Sequence, residues 1–343
     1  MNSASNAPSR LGDDDVRAID DLRQFYDRLR AELSKVIVGQ EEVIEQLSLC
    51  LFARGHGLLM GVPGLAKTLL VSCLAQTLDL SFSRIQFTPD LMPMDITGTD
   101  ILQEIPGGKR EFEFVRGPVF ANIVLADEIN RAPSKTQAAM LEAMQEHKVT
   151  VVGRPYTLKP PFLVLATQNP VEQEGTYPLP EAQLDRFMFL IQVDYPSRSE
   201  EIQIARTTTG SAHSRLDSLI SGEKVIEYQD LIRRLPVPEH IYEFVVDLVR
   251  MTRPHHEAAP DWIKPLVSWG AGPRAVQYLI LGAKARAALK GSYMVRLEDV
   301  EAVAEPVLTH RVLTTFNAES SGTTSRDIVR RLLKEMQGGN KAS

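Results

Sequence analysis

Within the stretch Gly61-Val62-Pro63-Gly64-Leu65-Ala66-Lys67-Thr68, one glycine, one lysine and one threonine stand at the spacing of a phosphate-binding loop. In that pattern, G-x-x-x-x-G-K-[ST], backbone N–H groups surround phosphate oxygens, the lysine reaches the outer phosphates and the hydroxyl ligates Mg²⁺. Ala66 stands where the second glycine is expected. Alanine keeps its N–H and is unstrained at negative φ, the conformation expected in the first turn of a helix, so Ala66 can still donate to phosphate. The alternative is a tight turn that happens to contain Gly, Lys and Thr. The flanks favour the loop. "HGLLM" reads as a short apolar strand ending at Gly61, and "KTLLVSCLAQTL" as an apolar helix opening at Lys67. The helix N-terminus would then point at the phosphates, with the backbone from Gly61 to Leu69 holding them.

Four further stretches carry residues suited to the same chemistry. "NIVLADE" reads as a buried strand that delivers Asp127 and Glu128 at its C-terminal end, where ligands bind in open α/β sheets. Asp127, with Thr68, suits a Mg²⁺ shell, and Glu128 suits a base that orients and deprotonates an attacking water. The competing reading is an acidic pair capping the helix "APSKTQAAMLEAM". "FLVLATQNP" ends in Thr167, Gln168 and Asn169. Asn169 either hydrogen-bonds a terminal phosphate or its water, or forms a turn before Pro170. In "LPEAQLDRF", Arg186 is placed to reach a neighbouring subunit's phosphate as an arginine finger, or to pair with Asp185 at the surface. In "GAGPRAVQ", Arg274 opens a helix, from which a domain closure could bring its guanidinium to phosphate; otherwise it is a surface residue.

These residues need an α/β scaffold, and the rest of the sequence is consistent with one. The 343 residues are 43% hydrophobic and 24% charged, which allows about two domains with a sizeable core. A net charge of −6 argues against a protein whose main task is neutralising many phosphates. Two cysteines, Cys50 and Cys73, lie in apolar helical patterns and read as reduced core residues rather than a disulfide or zinc framework. The polar start has no secretory signature, and no apolar run reaches the roughly 18 residues of a membrane span, which points to the cytoplasm. Residues 1–34 read as an N-terminal extension, disordered to about Asp15 and then an amphipathic helix. Residues 35–195 alternate short apolar strands with helices, predicting a parallel sheet covered on both faces. Two hairpins interrupt it, one around Pro106-Gly107-Gly108 and one around Gly153-Arg154-Pro155. Residues 196–225 read as a connection, 226–337 as a smaller all-α domain and 338–343 as a disordered tail.

Over roughly residues 35 to 310 the sequence resembles the MoxR family of AAA+ ATPases. "GVPGLAKT", "LADEINRAPSKTQAAMLEAMQE", "LATQNPVEQEGTYPLPEAQLDRF" and "GAGPRAVQYLILGAKARAAL" resemble its Walker A, Walker B, sensor 1 with arginine-finger region, and sensor 2. "VIVGQEEVIEQL" resembles the segment that encloses adenine, which implies a base pocket at Val38, Gly39 and Gln40. Alanine before the lysine is usual in that family. The two hairpins resemble the helix-2 insert and the pre-sensor-1 insert of the clade that also holds magnesium chelatase subunits and MCM helicases. The resemblance implies ATP and Mg²⁺ as ligands. It also implies a homo-oligomeric ring, commonly a hexamer, acting on partner or client proteins, often beside one bearing a von Willebrand factor A-type domain. Arg131, in "DEINRAP", lies near enough to Arg186 in the pattern to share the finger role. Two other functions fit the motifs less well. A nucleic-acid translocase of the MCM kind would use the basic Lys148, Arg154 and Lys159 of the second hairpin, against the acidic total. A nucleotide-sensing scaffold with little turnover would have no need of Glu128 as a base.

Overall fold

The structure, a computed structural model, describes residues 11–105, 109–171, 175–210 and 215–339. Two compact units divide it. One comprises residues 28–187 and 191–226, the other residues 1–27, 188–190 and 227–343. The front of the N-terminal helix therefore clusters with the helical unit instead of standing apart, and the stretch read as a connection clusters with the α/β unit. The polar tip Pro106-Gly107-Gly108, the first ten residues and the last four lie outside the described residues.

Strands β1 (Gly57–Met60), β2 (Phe82–Gln86), β5 (Ile123–Asp127), β8 (Leu163–Gln168) and β9 (Phe189–Gln192) form one sheet in the order β2-β5-β8-β1-β9. The pairings β1–β8, β5–β8 and β2–β5 are parallel. Leu58 and Leu59 on β1, Ile123 to Ala126 on β5 and Leu163 to Ala166 on β8 have no measurable exposure. Strands buried on both faces read as continuous apolar runs, which is why the sequence showed no alternation there. The pairings Met60↔Gln168 and Gln86↔Asp127 bring the C-terminal ends of the strands to one edge of the sheet. Helices α2 (Glu41–Phe52), α3 (Lys67–Thr77) and α5 (Ser134–Glu146) contribute Leu47, Leu70, Val71, Leu74, Met140 and Leu141 to the core.

His56, just before β1, is buried and hydrogen-bonded on both ring nitrogens. Nδ1 accepts from the Val164 N–H at 3.0 Å, and Nε2 lies 3.1 Å from the Met144 carbonyl, which fixes a neutral tautomer. Burial pushes its pKa down to about 4. The free cysteines Cys50 and Cys73 are buried, and burial raises both thiol pKa values.

The inserted hairpins are antiparallel pairs: β3 (Gly98–Ile105) with β4 (Lys109–Arg116), and β6 (Lys148–Val151) with β7 (Arg154–Thr157). The second turns one residue earlier than expected, at Val152-Gly153, because both take the positive φ (47° and 77°) that a two-residue hairpin turn demands. Arg154 and Pro155 are therefore strand residues. Lys148 lies 3.8 Å from Glu146, so the basic set of this hairpin is partly offset. At the base of the first hairpin, side chains at Gly98 or Gly117 would collide with backbone: Gly98 with the Val115 carbonyl, Gly117 with the Ile96 carbonyl. Phe114 of β4 stacks on Tyr156 of β7 with centroids 3.9 Å apart.

Helix α1 (Asp13–Leu33) begins inside the stretch expected to be disordered, with three aspartates in its first turn favoured by the helix dipole. Residues 198–208, read as connection, form helix α7 (Arg198–Thr208), closed by a Ser197–Glu200 capping box. Helix α8 (Gly222–Arg234) begins in the α/β unit and ends in the helical unit, where α9 (Glu239–Met251), α10 (Pro273–Leu289), α11 (Leu297–Leu308), α12 (Phe316–Ser320) and α13 (Ser325–Gly339) follow. It is not all-helical, since β10 (Val267–Trp269) and β11 (Leu313–Thr314) form a short antiparallel pair. Three- and two-residue strands are too brief to leave a periodic signal.

Candidate functional site

The loop between β1 and α3 has the geometry its glycines require. A side chain at Gly61 would come within 2.6 Å of the Val193 carbonyl, and Gly64 sits at φ 87° with open space around it. Gly61 is thus fixed by close approach and Gly64 by conformation. Ala66 departs from expectation. The helix opens at Lys67 as the sequence predicts, so Ala66 lies outside its first turn as the N-cap, at φ 55° and ψ 22°. This left-handed conformation is strained for a residue with a Cβ, by roughly 1 kcal/mol. Its N–H is retained, so its capacity to donate stands while the argument from negative φ does not.

Lys67 folds back on the loop, donating to the carbonyl of Gly61 and, at 3.2 Å, to that of Val62. Partial burial lowers its pKa, and the attraction of Asp127 and Glu128 opposes that shift. The loop cation and the acids at the end of β5 therefore act on each other, although they lie far apart in sequence. Thr68 is half-buried in the first turn of α3, and Leu69 is 45% exposed.

Asp127 and Glu128 are held by side chains from neighbouring strands. Asp127 accepts from the Thr167 hydroxyl at 2.6 Å through Oδ1, and from Arg84 Nε and a terminal nitrogen at 2.9 and 2.7 Å through Oδ2. Glu128, at φ 56°, accepts from Gln86 Nε2 at 2.8 Å and from Arg131 at 3.1 Å, while its N–H donates to Thr167 Oγ1. Arg84 also reaches Gln86 Oε1 at 2.5 Å. Neither acid caps a helix through its side chain, and α5 starts after Pro133, so the capping alternative falls away. Buried Gln137 of α5 donates to the carbonyls of Ile129 and Tyr177, bracing the loop behind Glu128.

Sequence reasoning missed Arg84, Gln86 and Gln137. The available signal was in "SFSRIQF", where Arg84 and Gln86 share one face of the strand at period two. Asn169, 8% exposed, spends its Oδ1 on the Val171 N–H at 3.1 Å, the turn-forming alternative. Arg186 is half-buried and donates to the Leu141 carbonyl at 3.0 Å. Arg274 belongs to the helical unit, in the first turn of α10. In the segment expected to enclose a base, Val38, Gly39 and Gln40 are each partly exposed. Gly39 (φ 68°) and Gln40 (φ 55°) both adopt left-handed backbone, and a side chain at Gly39 would collide with the Glu200 carboxylate. Gln40 Nε2 donates to the Leu65 carbonyl at 3.2 Å.

The donor set of Thr68 and Asp127 fits a hard divalent cation such as Mg²⁺. Among the described residues no group of three or more His, Cys, Asp or Glu could cage a metal. Among the described residues no helix is long and apolar enough to cross a membrane.

Residues 56–189 match the family described as the ATPase family associated with various cellular activities (AAA), and residues 261–332 match the AAA lid domain. The chain is 42% identical to Chaperone MoxR1 of Mycobacterium tuberculosis over 88% of its own length and 79% of that protein's. It is 30% identical to Protein MoxR of Methylorubrum extorquens, with 85% and 88% covered. The crystal structure of a candidate ATPase from Cytophaga hutchinsonii superposes with a TM-score of 0.86 at 42% identity, covering 93% of this chain and 96% of that one.

Proposed function

Since this chain belongs to the MoxR family of AAA+ ATPases, we propose that it hydrolyses ATP to ADP and phosphate in a ring of identical subunits and uses the cycle to remodel or activate partner proteins. The observation that carries the site assignment is that the loop after β1 and the acids at the end of β5 stand at the same edge of one sheet, close enough for Lys67 to feel the attraction of Asp127 and Glu128. Gly61 to Leu69 hold the phosphates through the loop backbone and Lys67, and Val38 and Gly39 border the base. Thr68 and Asp127 would hold Mg²⁺, which when bound would supply charge neutralisation on the phosphate oxygens.

In the chemical step a water oxygen attacks the terminal phosphorus, the bond to the bridging oxygen breaks, and that oxygen leaves with ADP. Glu128 orients the water and takes its proton. In this structure Gln86 and Arg131 both donate to Oε2 of Glu128, which holds the carboxylate in place and leaves Oε1 to accept from the water. Asn169 borders the terminal phosphate at the edge of β8. Arg186 is the proposed finger acting on a neighbour, a role that Arg131 can share, and Arg274 is the proposed phosphate contact from the helical unit.

The name of the M. tuberculosis relative supports a chaperone-like role. A hexamer and a partner with a von Willebrand factor A-type domain rest on the family resemblance. Glu128→Gln should bind ATP normally and lose about 10²- to 10⁴-fold in turnover. Arg186→Ala should also bind and turn over slowly. Mixing the two variants should restore activity at interfaces pairing an intact Glu128 with an intact Arg186. No recovery in mixed rings, confirmed by native mass spectrometry, would reject the finger in trans.

A further inference from the structure

We infer that Gln40 is a positioning residue for the phosphate loop, doing by a side-chain hydrogen bond what a glycine at position 66 would do by conformational freedom. The inference rests on the reading of Gly61–Leu69 as the phosphate site. Its observations are local. Gln40 Nε2 donates to the carbonyl of Leu65, the residue just before the strained Ala66. The peptide joining them is planar and trans, so its C=O and N–H point in opposite directions. Holding the Leu65 carbonyl toward Gln40 therefore turns the Ala66 N–H to the opposite side of the loop. Flipping that peptide would let Ala66 relax toward negative φ, but it would break the bond from Gln40 and reverse the N–H.

The surroundings of Gln40 indicate that position, not stability, is what its side chain supplies. Its own backbone is left-handed, at φ 55° and ψ 30°, and it makes no side-chain cap to α2. Its Oε1 is buried without a hydrogen-bond partner. A buried acceptor left unmatched is unfavourable, as is left-handed backbone on a residue with a Cβ. One donor bond to Leu65 is what the arrangement gains.

The experiment is a double-mutant cycle between Gln40→Leu and Ala66→Gly, with Gln40→Met run alongside in case the branched variant fails to fold, and melting curves on all. Binding of ADP, GDP and adenosine is measured by calorimetry, with Lys67→Ala as the control for the site itself. Removing the bond should weaken ADP about fivefold to tenfold with Ala66 present, and about twofold or less in the Ala66→Gly background. Adenosine affinity and the ratio of ADP to GDP should not change. An equal loss in both backgrounds, or no loss in either, overturns the inference. So does a changed ADP to GDP ratio, which would put Gln40 on the base. Unchanged ADP binding in Lys67→Ala would instead reject the phosphate-site reading on which the inference stands.

Discussion

The phosphate loop and the acidic end of β5 lie on the same edge of one sheet, with β8 between their strands, yet they are held in different ways. Apart from the bond from Gln40 to Leu65, the loop is held by groups of its own. Lys67 donates to the carbonyls of Gly61 and Val62, and Gly64 and Ala66 set the path by their left-handed conformations. The acids are held by side chains from elsewhere: Arg84 and Gln86 from β2, Thr167 from β8 and Arg131 beyond the strand end. A motif held by its own backbone keeps its shape wherever a strand and a helix flank it. One held by its neighbours has its shape only when the sheet is in register, so its chemistry responds to whatever shifts β2 or β8.

The largest expected effect sharpens this contrast on the loop side. Lys67→Ala removes the cation that the loop presents and should weaken ADP binding about 10²-fold or more, by the size of charge-assisted hydrogen bonds to phosphate. A change below about threefold in calorimetry would mean that the backbone alone holds the phosphates.

The next concerns the anchoring of β1, the strand that carries the loop. His56 is neutral when folded, with its pKa depressed to about 4 from the ordinary 6.5. Its contribution is therefore complete above about pH 6.5 and lost as pH falls toward 4, because the unfolded chain takes up the proton first. The pKa difference sets an upper limit of about 3 kcal/mol on this loss. Denaturant unfolding between pH 7 and 4 should show that slope in the native protein and a shallower one in His56→Gln. Equal slopes would remove His56 from the account.

The smallest effect tests the borrowed side chains. Arg84 competes with Mg²⁺ for Asp127, so Arg84→Gln should tighten Mg²⁺-dependent ADP binding about two- to fivefold, the scale of a partly exposed ion pair, and leave binding in EDTA unchanged. Weaker binding in Mg²⁺ would instead make Arg84 a support that keeps Asp127 in place.

The same contrast explains what could be read in the sequence. Gly61, Lys67 and Thr68 are legible because their requirements lie within eight residues, and Asp127 and Glu128 because a buried strand ends at them. Arg84, Gln86 and Gln137 acquire meaning from registers such as Gln86↔Asp127, which no local pattern encodes. The helix start at Lys67 is legible, but the φ of 55° at Ala66 is not, because an N-cap residue lies outside the helical geometry from which a negative φ is inferred. Asn169 was legible as two alternatives, since Asn before Pro serves a turn as readily as a ligand, and here its side chain serves the turn.

The glycine crossing at the foot of the first hairpin has a mechanical consequence. Backbone passes backbone at Gly98 and Gly117 without room for a Cβ, so the β3–β4 ribbon leaves the unit through a tight neck and not a slack tether. Beyond the neck each strand runs eight residues, a lever of about 26 Å. A tilt of about 10° at such a fulcrum carries the far end through about 5 Å, given that strand length. The stacked rings of Phe114 and Tyr156 clip the second hairpin to this arm, so a small rotation at the neck is transmitted to both inserts together.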